Sequence, residues 1–255
     1  MSDQADAATA ERVPVELPAP EQPRTHRWGF GAFLTTFATL VLTAVVIGAI
    51  AGVSAPGQGI SVPVAVIGTA VPPLLAAGVA ILFTVLRGNG PLIDLRWSFR
   101  WDDIRAGVRF GLLGLVCTTV AAFVWTKLVG EQNATSALGK LVNDQRLPMT
   151  AAIVMFLFVW LVGPVCEEII YRGLLWGALE RLNWGRWVVF GLTTVIFAVS
   201  HLEPLRTSLL VVIGIPIGLA RLVTGRLGAS IVAHQINNFL PALAVLLMAF
   251  GVMPA

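Results

Sequence analysis

Two adjacent acids, Glu167 and Glu168, follow a run of twenty residues without formal charge, Leu147 to Cys166. A carboxylate at membrane depth is costly, and an acid pair kept there points to function. Glu168 and Arg172 are four residues apart and share a helical face, which predicts an ion pair. Glu167 points about 100° away from its neighbour, so it is left to face a cavity. Two of the three histidines, His201 and His234, also lie in apolar segments, and Asn238 follows His234 by one helical turn. In this set Glu167 could take a proton from water and His201 could orient that water or relay the proton. His234 and Asn238 could donate hydrogen bonds to the oxyanion formed at an attacked carbonyl. These are the parts of a peptide-bond hydrolase working in a low-dielectric site.

Plainer readings compete at each position. The acid pair could mark the interfacial end of a membrane helix, and a histidine at a helix end is often an interfacial residue. Ser200 adjoins His201, but neighbours on a helix do not face each other, so a Ser/His dyad is disfavoured. The His234 turn is harder to explain away. It carries His234, Gln235, Asn237 and Asn238 inside a 29-residue stretch without formal charge. So much polarity in one turn of a membrane helix needs partners or water. A divalent metal is a further alternative. Glu167, His201 and His234 are acceptable zinc ligands, and zinc could activate the water instead. The HExxH spacing is absent, and the sequence leaves the metal and glutamate mechanisms both open. Cys117 and Cys166 form no CxxC pair and read as small buried hydrophobes.

The elements that must position these groups are membrane helices. Of 255 residues, 56% are hydrophobic and only 12% charged, against about 25% charged in soluble domains. The expected fold is all-α, a polytopic bundle of about seven transmembrane helices within a range of six to eight. Residues 1–27, rich in Ala, Pro and acids, read as a disordered tail, and residues 28–255 as the membrane domain. The expected spans run about 29–53, 63–86, 107–126, 148–182, 187–201, 207–221 and 227–253. The first two are separated by a Gly/Pro turn near 54–61, and a polar loop covers 127–146. Pro164, three residues before Glu167, predicts a bend that frees backbone carbonyls and opens room for water beside the acids. Gly214 and Gly218 have the spacing of a close helix contact. With the N-terminus in the cytoplasm, seven alternating spans place 13 of the 17 Lys and Arg residues inside and 4 outside, as the positive-inside rule requires. No basic cluster with interleaved aromatics is present, so nucleic acid is not an expected partner.

Three motifs occur in order, each on an apolar segment: Glu167-Glu168-Ile-Ile-Tyr-Arg172, Phe197-Ala-Val-Ser-His201 and His234-Gln-Ile-Asn-Asn238. With them the chain resembles the CAAX protease and bacteriocin-processing (CPBP, or Abi) family of intramembrane proteases over a motif core of about 148–240. The family's type II CAAX prenyl endopeptidases share the same EExxxR, FxxxH and HxxxN pattern. The resemblance implies a membrane-embedded endopeptidase of a prokaryotic plasma membrane. It assigns catalytic roles to the positions of Glu167, His201, His234 and Asn238, with Glu168 and Arg172 in support. It implies membrane lipid and a peptide or prenylated or lipidated protein as partners. It leaves glutamate-type and zinc-dependent chemistry open. Two other functions remain in view: a non-catalytic scaffold or bacteriocin-immunity factor of the same family, and a proton-coupled transporter, which the absence of an internal repeat disfavours.

Overall fold

A computed structural model describes residues 25–52, 61–130, 133–134 and 147–252. The expected tail over 1–27, the turn near 54–61 and the loop over 127–146 fall largely outside these residues. All regular structure among the described residues is helical, because long uncharged segments can satisfy their backbone in lipid only within a helix or a closed barrel. The helices are α1 (Phe30–Ile50), α2 (Val62–Arg87), the short α3 (Pro91–Asp94) and α4 (Trp101–Val129). A long α5 (Met149–Glu180) is followed by α6 (Arg186–Val199), α7 (Thr207–Thr224) and α8 (Leu227–Ala249).

Six of these, α1, α2, α4, α5, α7 and α8, are long and apolar enough to cross a membrane. The seventh expected span, α6, is apolar but only 14 residues long. At about 1.5 Å per residue it rises roughly 21 Å, short of a hydrocarbon core of about 30 Å. The expected bundle of about seven helices, within a range of six to eight, takes the form of six long helices and one short one.

The second half of α5 forms the centre of the bundle. Every residue from 168 to 179 is buried, as expected of a helix enclosed on all sides. Around it pack Trp28 and Phe33 at the start of α1, the alanine row Ala76, Ala77 and Ala80 of α2, and Leu227 and Ile231 of α8. The remaining helices approach closely where side chains are small. On α4, Gly107 and Gly111 lie against Val232 and Ile236 of α8, so close that an added Cβ would overlap them. On α7, Gly214 and Gly218 lie against Thr194 and Phe190 of α6, the contact their spacing predicts.

The chain before α1 is fastened to the end of α5. The Arg181 guanidinium donates to the carbonyls of His26 and Trp28, each at 2.7 Å. The Trp28 indole donates to Asp94 at 2.8 Å. At the same end of the bundle Arg226 pairs with buried Asp103 at 2.5 Å, joining the starts of α8 and α4.

Candidate active site

The helix carrying the acids is not uniformly wound. Within α5 two π-helical turns, Phe158–Val162 and Ile169–Leu175, bracket the α-helical segment Gly163–Glu168. Pro164 begins that segment. It has no N–H to give, and the wider preceding turn accommodates it. The bend expected from Pro164 thus takes the form of a π-bulge, a feature frequent at functional sites. Side chains of neighbouring helices donate to carbonyls of both turns. Asn238 Nδ2 donates to the Val159 carbonyl at 3.3 Å and Gln235 Nε2 to the Leu161 carbonyl at 3.0 Å. Arg221 Nε donates to the Arg172 carbonyl at 3.0 Å. The polar turn of α8 therefore finds its partners on α5. Asn237 instead accepts from the Thr118 hydroxyl of α4 at 3.1 Å.

Glu168 and Arg172 form the expected ion pair, with Nη1 3.1 Å from Oε1 and both side chains fully buried. The guanidinium lies 4.4 Å over the Phe197 ring and reaches the Gly214 carbonyl at 3.4 Å. His234, also buried, places Nδ1 2.9 Å from the same Glu168 oxygen and Nε2 3.5 Å from Glu167 Oε2. Because a carboxylate accepts only, Nδ1 carries a proton. The imidazole thus bridges two adjacent acids that point to different places. Glu167 is the more open of the pair: its side chain is 28% exposed while that of Glu168 is 0%.

His201 follows the end of α6, and its Nδ1 donates to the Phe197 carbonyl at 2.8 Å. That carbonyl belongs to the last helical turn, where acceptors lack backbone partners. The bond assigns a proton to Nδ1 and leaves Nε2 uncommitted to that carbonyl. The Phe197 ring sits between the two histidines, 4.8 Å from His201 and 5.7 Å from His234 by ring centroid. The motif FxxxH therefore supplies both the carbonyl that sets the tautomer and the ring that separates the imidazoles. Straight helices of the expected lengths put these histidines at different depths. In the fold both rings pack against the one Phe197 ring.

A cavity of about 150 Å³ lies against Glu167. Its other walls are Tyr171, Ser200 and His201 on the polar side, and Leu40 of α1, Pro73 of α2 and Ile170 on the apolar side. Of the four residues expected to do chemistry, Glu167 and His201 line this cavity. His234 stands behind Glu167, and Asn238 donates to α5. The Asn238 amide satisfies a carbonyl of the π turn and the two His234 nitrogens face carboxylates. Glu167, His201 and His234 do not form a zinc-ligand cluster: among the described residues no three His, Cys, Asp or Glu side chains group as metal ligands. Tyr171, Leu40 and Pro73 carried no signal in the sequence, because apolar and aromatic residues fill every membrane helix.

Residues 149–240, from the start of α5 into α8, match the family described as Type II CAAX prenyl endopeptidase Rce1-like. The matched segment contains all three motifs and every polar group that converges on Glu168. Over this segment the chain is similar to the CPBP family of intramembrane proteases. Among curated proteins it is similar to the membrane-embedded CAAX protease MroQ of Staphylococcus aureus (strain USA300), 26% identical over 175 residues. That match covers 65% of this chain and 68% of the relative. No solved structure matches the chain. With six helices long and apolar enough to cross a membrane, the chain is an integral membrane protein.

Proposed function

We propose that this protein hydrolyses a peptide bond in a membrane-associated peptide or protein, including prenylated or otherwise lipidated ones, with Glu167 as the base that activates water. The observation that carries this reading is the shared cavity. Glu167 and His201 line one water-sized space whose remaining walls are largely apolar, and His234 holds Glu167 from behind.

In the proposed step a water beside Glu167 gives its proton to the carboxylate as its oxygen bonds to the peptide carbon. The carbonyl π electrons move to oxygen, and collapse of the tetrahedral intermediate expels the amine, which takes a proton. His201 Nε2 is free to orient the attacking water. Glu168 stays paired with Arg172 and, through His234, keeps Glu167 in place. Low dielectric strengthens each of these interactions. The chemistry uses only side chains, and no step passes through a metal. The apolar walls contributed by Leu40, Pro73 and Ile170 suit a substrate whose flanking groups lie in lipid. The cytoplasmic N-terminus given by the Lys and Arg placement belongs to the same proposal.

The test is cleavage by purified protein in proteoliposomes, using farnesylated peptides ending in Cys-aliphatic-aliphatic-X and an unprenylated peptide library. Mass spectrometry of the products locates any cut. Wild type is expected to release carboxy-terminal fragments and Glu167→Ala none. A chelator such as 1,10-phenanthroline is expected to leave the rate within twofold. Rate loss restored by zinc would replace the glutamate mechanism with a metal one. Equal behaviour of wild type and Glu167→Ala, in the assay and in cells, would favour the scaffold reading.

A further inference from the structure

The cavity beside Glu167 has two unlike halves. Glu167, Ser200 and His201 lie on the polar one, and Leu40, Pro73 and Ile170 form the apolar one. The chemistry above uses only the polar half. We propose that the apolar half is a subsite for one aliphatic side chain adjoining the scissile bond, and that Leu40 sets the size it accepts. The proposal rests on the peptidase reading and deepens it, because it names what the site takes and what it keeps out.

Volume decides the class of group. The whole cavity measures about 150 Å³. An apolar cavity of about that size holds one benzene molecule, and a water takes about 30 Å³. With the attacking water beside Glu167, room remains for a single aliphatic side chain. A farnesyl or geranylgeranyl chain is far larger, so it stays in the surrounding lipid while the residue next to the cut is held. Charged side chains are excluded, since the apolar walls offer them no partner and burial without one is costly.

The walls come from two parts of the chain. Glu167, Ile170, Ser200 and His201 lie within residues 149–240, the segment that matches the protease family, while Leu40 and Pro73 come from α1 and α2 before it. The reacting groups and the size limit are therefore carried separately. Ile170 is 1% exposed and packs in the core beside the acids. Pro73 follows Pro72 inside α2, where a substitution changes the helix backbone as well as the wall. Leu40 is only half-buried and packs against the core from outside. It continues the inward stripe of α1 that holds Phe33 and Phe37, at the spacing that one helical face requires. Its side chain can change size without disturbing Glu167 or His201, which makes it the wall that tunes selectivity.

The test is a competition among peptides in proteoliposomes. Each residue flanking the cut, other than a prenylated cysteine, is varied in turn among Ala, Val, Leu and Phe. One methylene in an apolar pocket changes kcat/KM about 10- to 200-fold. Leu40→Ala should therefore raise the Phe-to-Val ratio of kcat/KM at least about 10-fold at one flanking position, and Leu40→Phe should raise the Ala-to-Leu ratio by a similar factor. Either variant alone reads the effect if the other fails to fold. Leu42→Ala, whose parent side chain is 61% exposed, should leave both ratios within twofold of wild type. The farnesyl-to-geranylgeranyl ratio should also stay within twofold in every variant. Side-chain ratios within threefold of wild type in an active Leu40 variant would overturn the subsite and leave the peptidase reading standing. A Leu40 variant that shifts the isoprenoid ratio instead would put the lipid chain in the cavity and overturn it as well. Wild-type protein inert towards every peptide would overturn the peptidase reading and the subsite with it.

Discussion

The chemistry of this site rests on one chain of polar contacts: Arg172, Glu168, His234 and then Glu167. The first three side chains have almost no contact with solvent. Breaking a buried pair by removing one partner is far more costly than the pair's net contribution to stability, because an uncompensated charge remains. Arg172→Ala should therefore destabilise the protein by about 3–5 kcal/mol, seen as a large fall in the detergent denaturation midpoint. Arg172→Met combined with Glu168→Leu should recover part of that loss, because neither charge is then stranded. A double variant no more stable than Arg172→Ala would show that the pair's charges are not what the packing depends on. The pairing of Glu168 with Arg172 was legible in the sequence. Four-residue spacing joined Glu168 to Arg172, and the 100° offset turned Glu167 elsewhere. The bridge from His234 to both acids was not legible, since it depends on how α8 is rotated against α5. The same holds for Asn238: the amide type was readable, but its choice of the Val159 carbonyl depends on a π turn with no sequence signature beyond Pro164.

At the scale of elements, the placement of Glu167 follows from the winding of α5. Two π turns isolate the six-residue segment that ends in Glu168, and donors from α7 and α8 hold carbonyls of both turns. Gln235→Leu removes the amide from the Leu161 carbonyl and leaves that acceptor in an apolar setting. The expected stability loss is about 1–3 kcal/mol. Turnover should fall with KM little changed, because the displaced segment carries Glu167. A variant with wild-type rate and stability would mean that the π turn needs no support from α8. The α4–α8 contact gives a second check. Gly111 sits where an added Cβ would lie 2.8 Å from the Ile236 side chain. Gly111→Val should therefore force the helices apart, and overpacking of this kind costs about 1–3 kcal/mol. Paired with Ile236→Ala, the same substitution should be better tolerated. Helix positions were readable to within a few residues for α1, α2, α6 and α7, because charges and Gly/Pro breaks bound those segments. The start of α4 was placed six residues late, at Gly107. Its first turn holds Asp102, Asp103 and Arg105, which read as loop, yet Asp103 closes a capping box with the backbone of Arg100 and pairs with Arg226.

For the whole molecule, the sequence carried the membrane character and the all-α fold plainly, since so few charged residues are available. It counted α6 among about seven spans, and α6 is only 14 residues long. A segment bounded by Arg186 and His201 looks like a span from composition, and only its length against the bilayer separates the two cases. The proposed orientation rests on 13 basic residues against 4, and the two ends of α4, near Arg105 and Lys127, offer a test of it. In a Cys117→Ser, Cys166→Ser background, Arg105→Cys should react with a membrane-impermeant maleimide only after the cells are opened. Lys127→Cys should react in intact cells. The reverse pattern would invert the topology and put the cavity's access on the other side.

The most direct test of the account is the single-turnover rate of Glu167→Gln on a cleaved peptide, measured beside its melting temperature. The amide keeps the size and polarity of the side chain but cannot take a proton from water. The expected result is a rate lowered at least about 10²- to 10⁴-fold, the usual contribution of a general base, with melting within a few degrees of wild type. A folded Glu167→Gln protein that cleaves at the wild-type rate would contradict the assignment of Glu167 as the base.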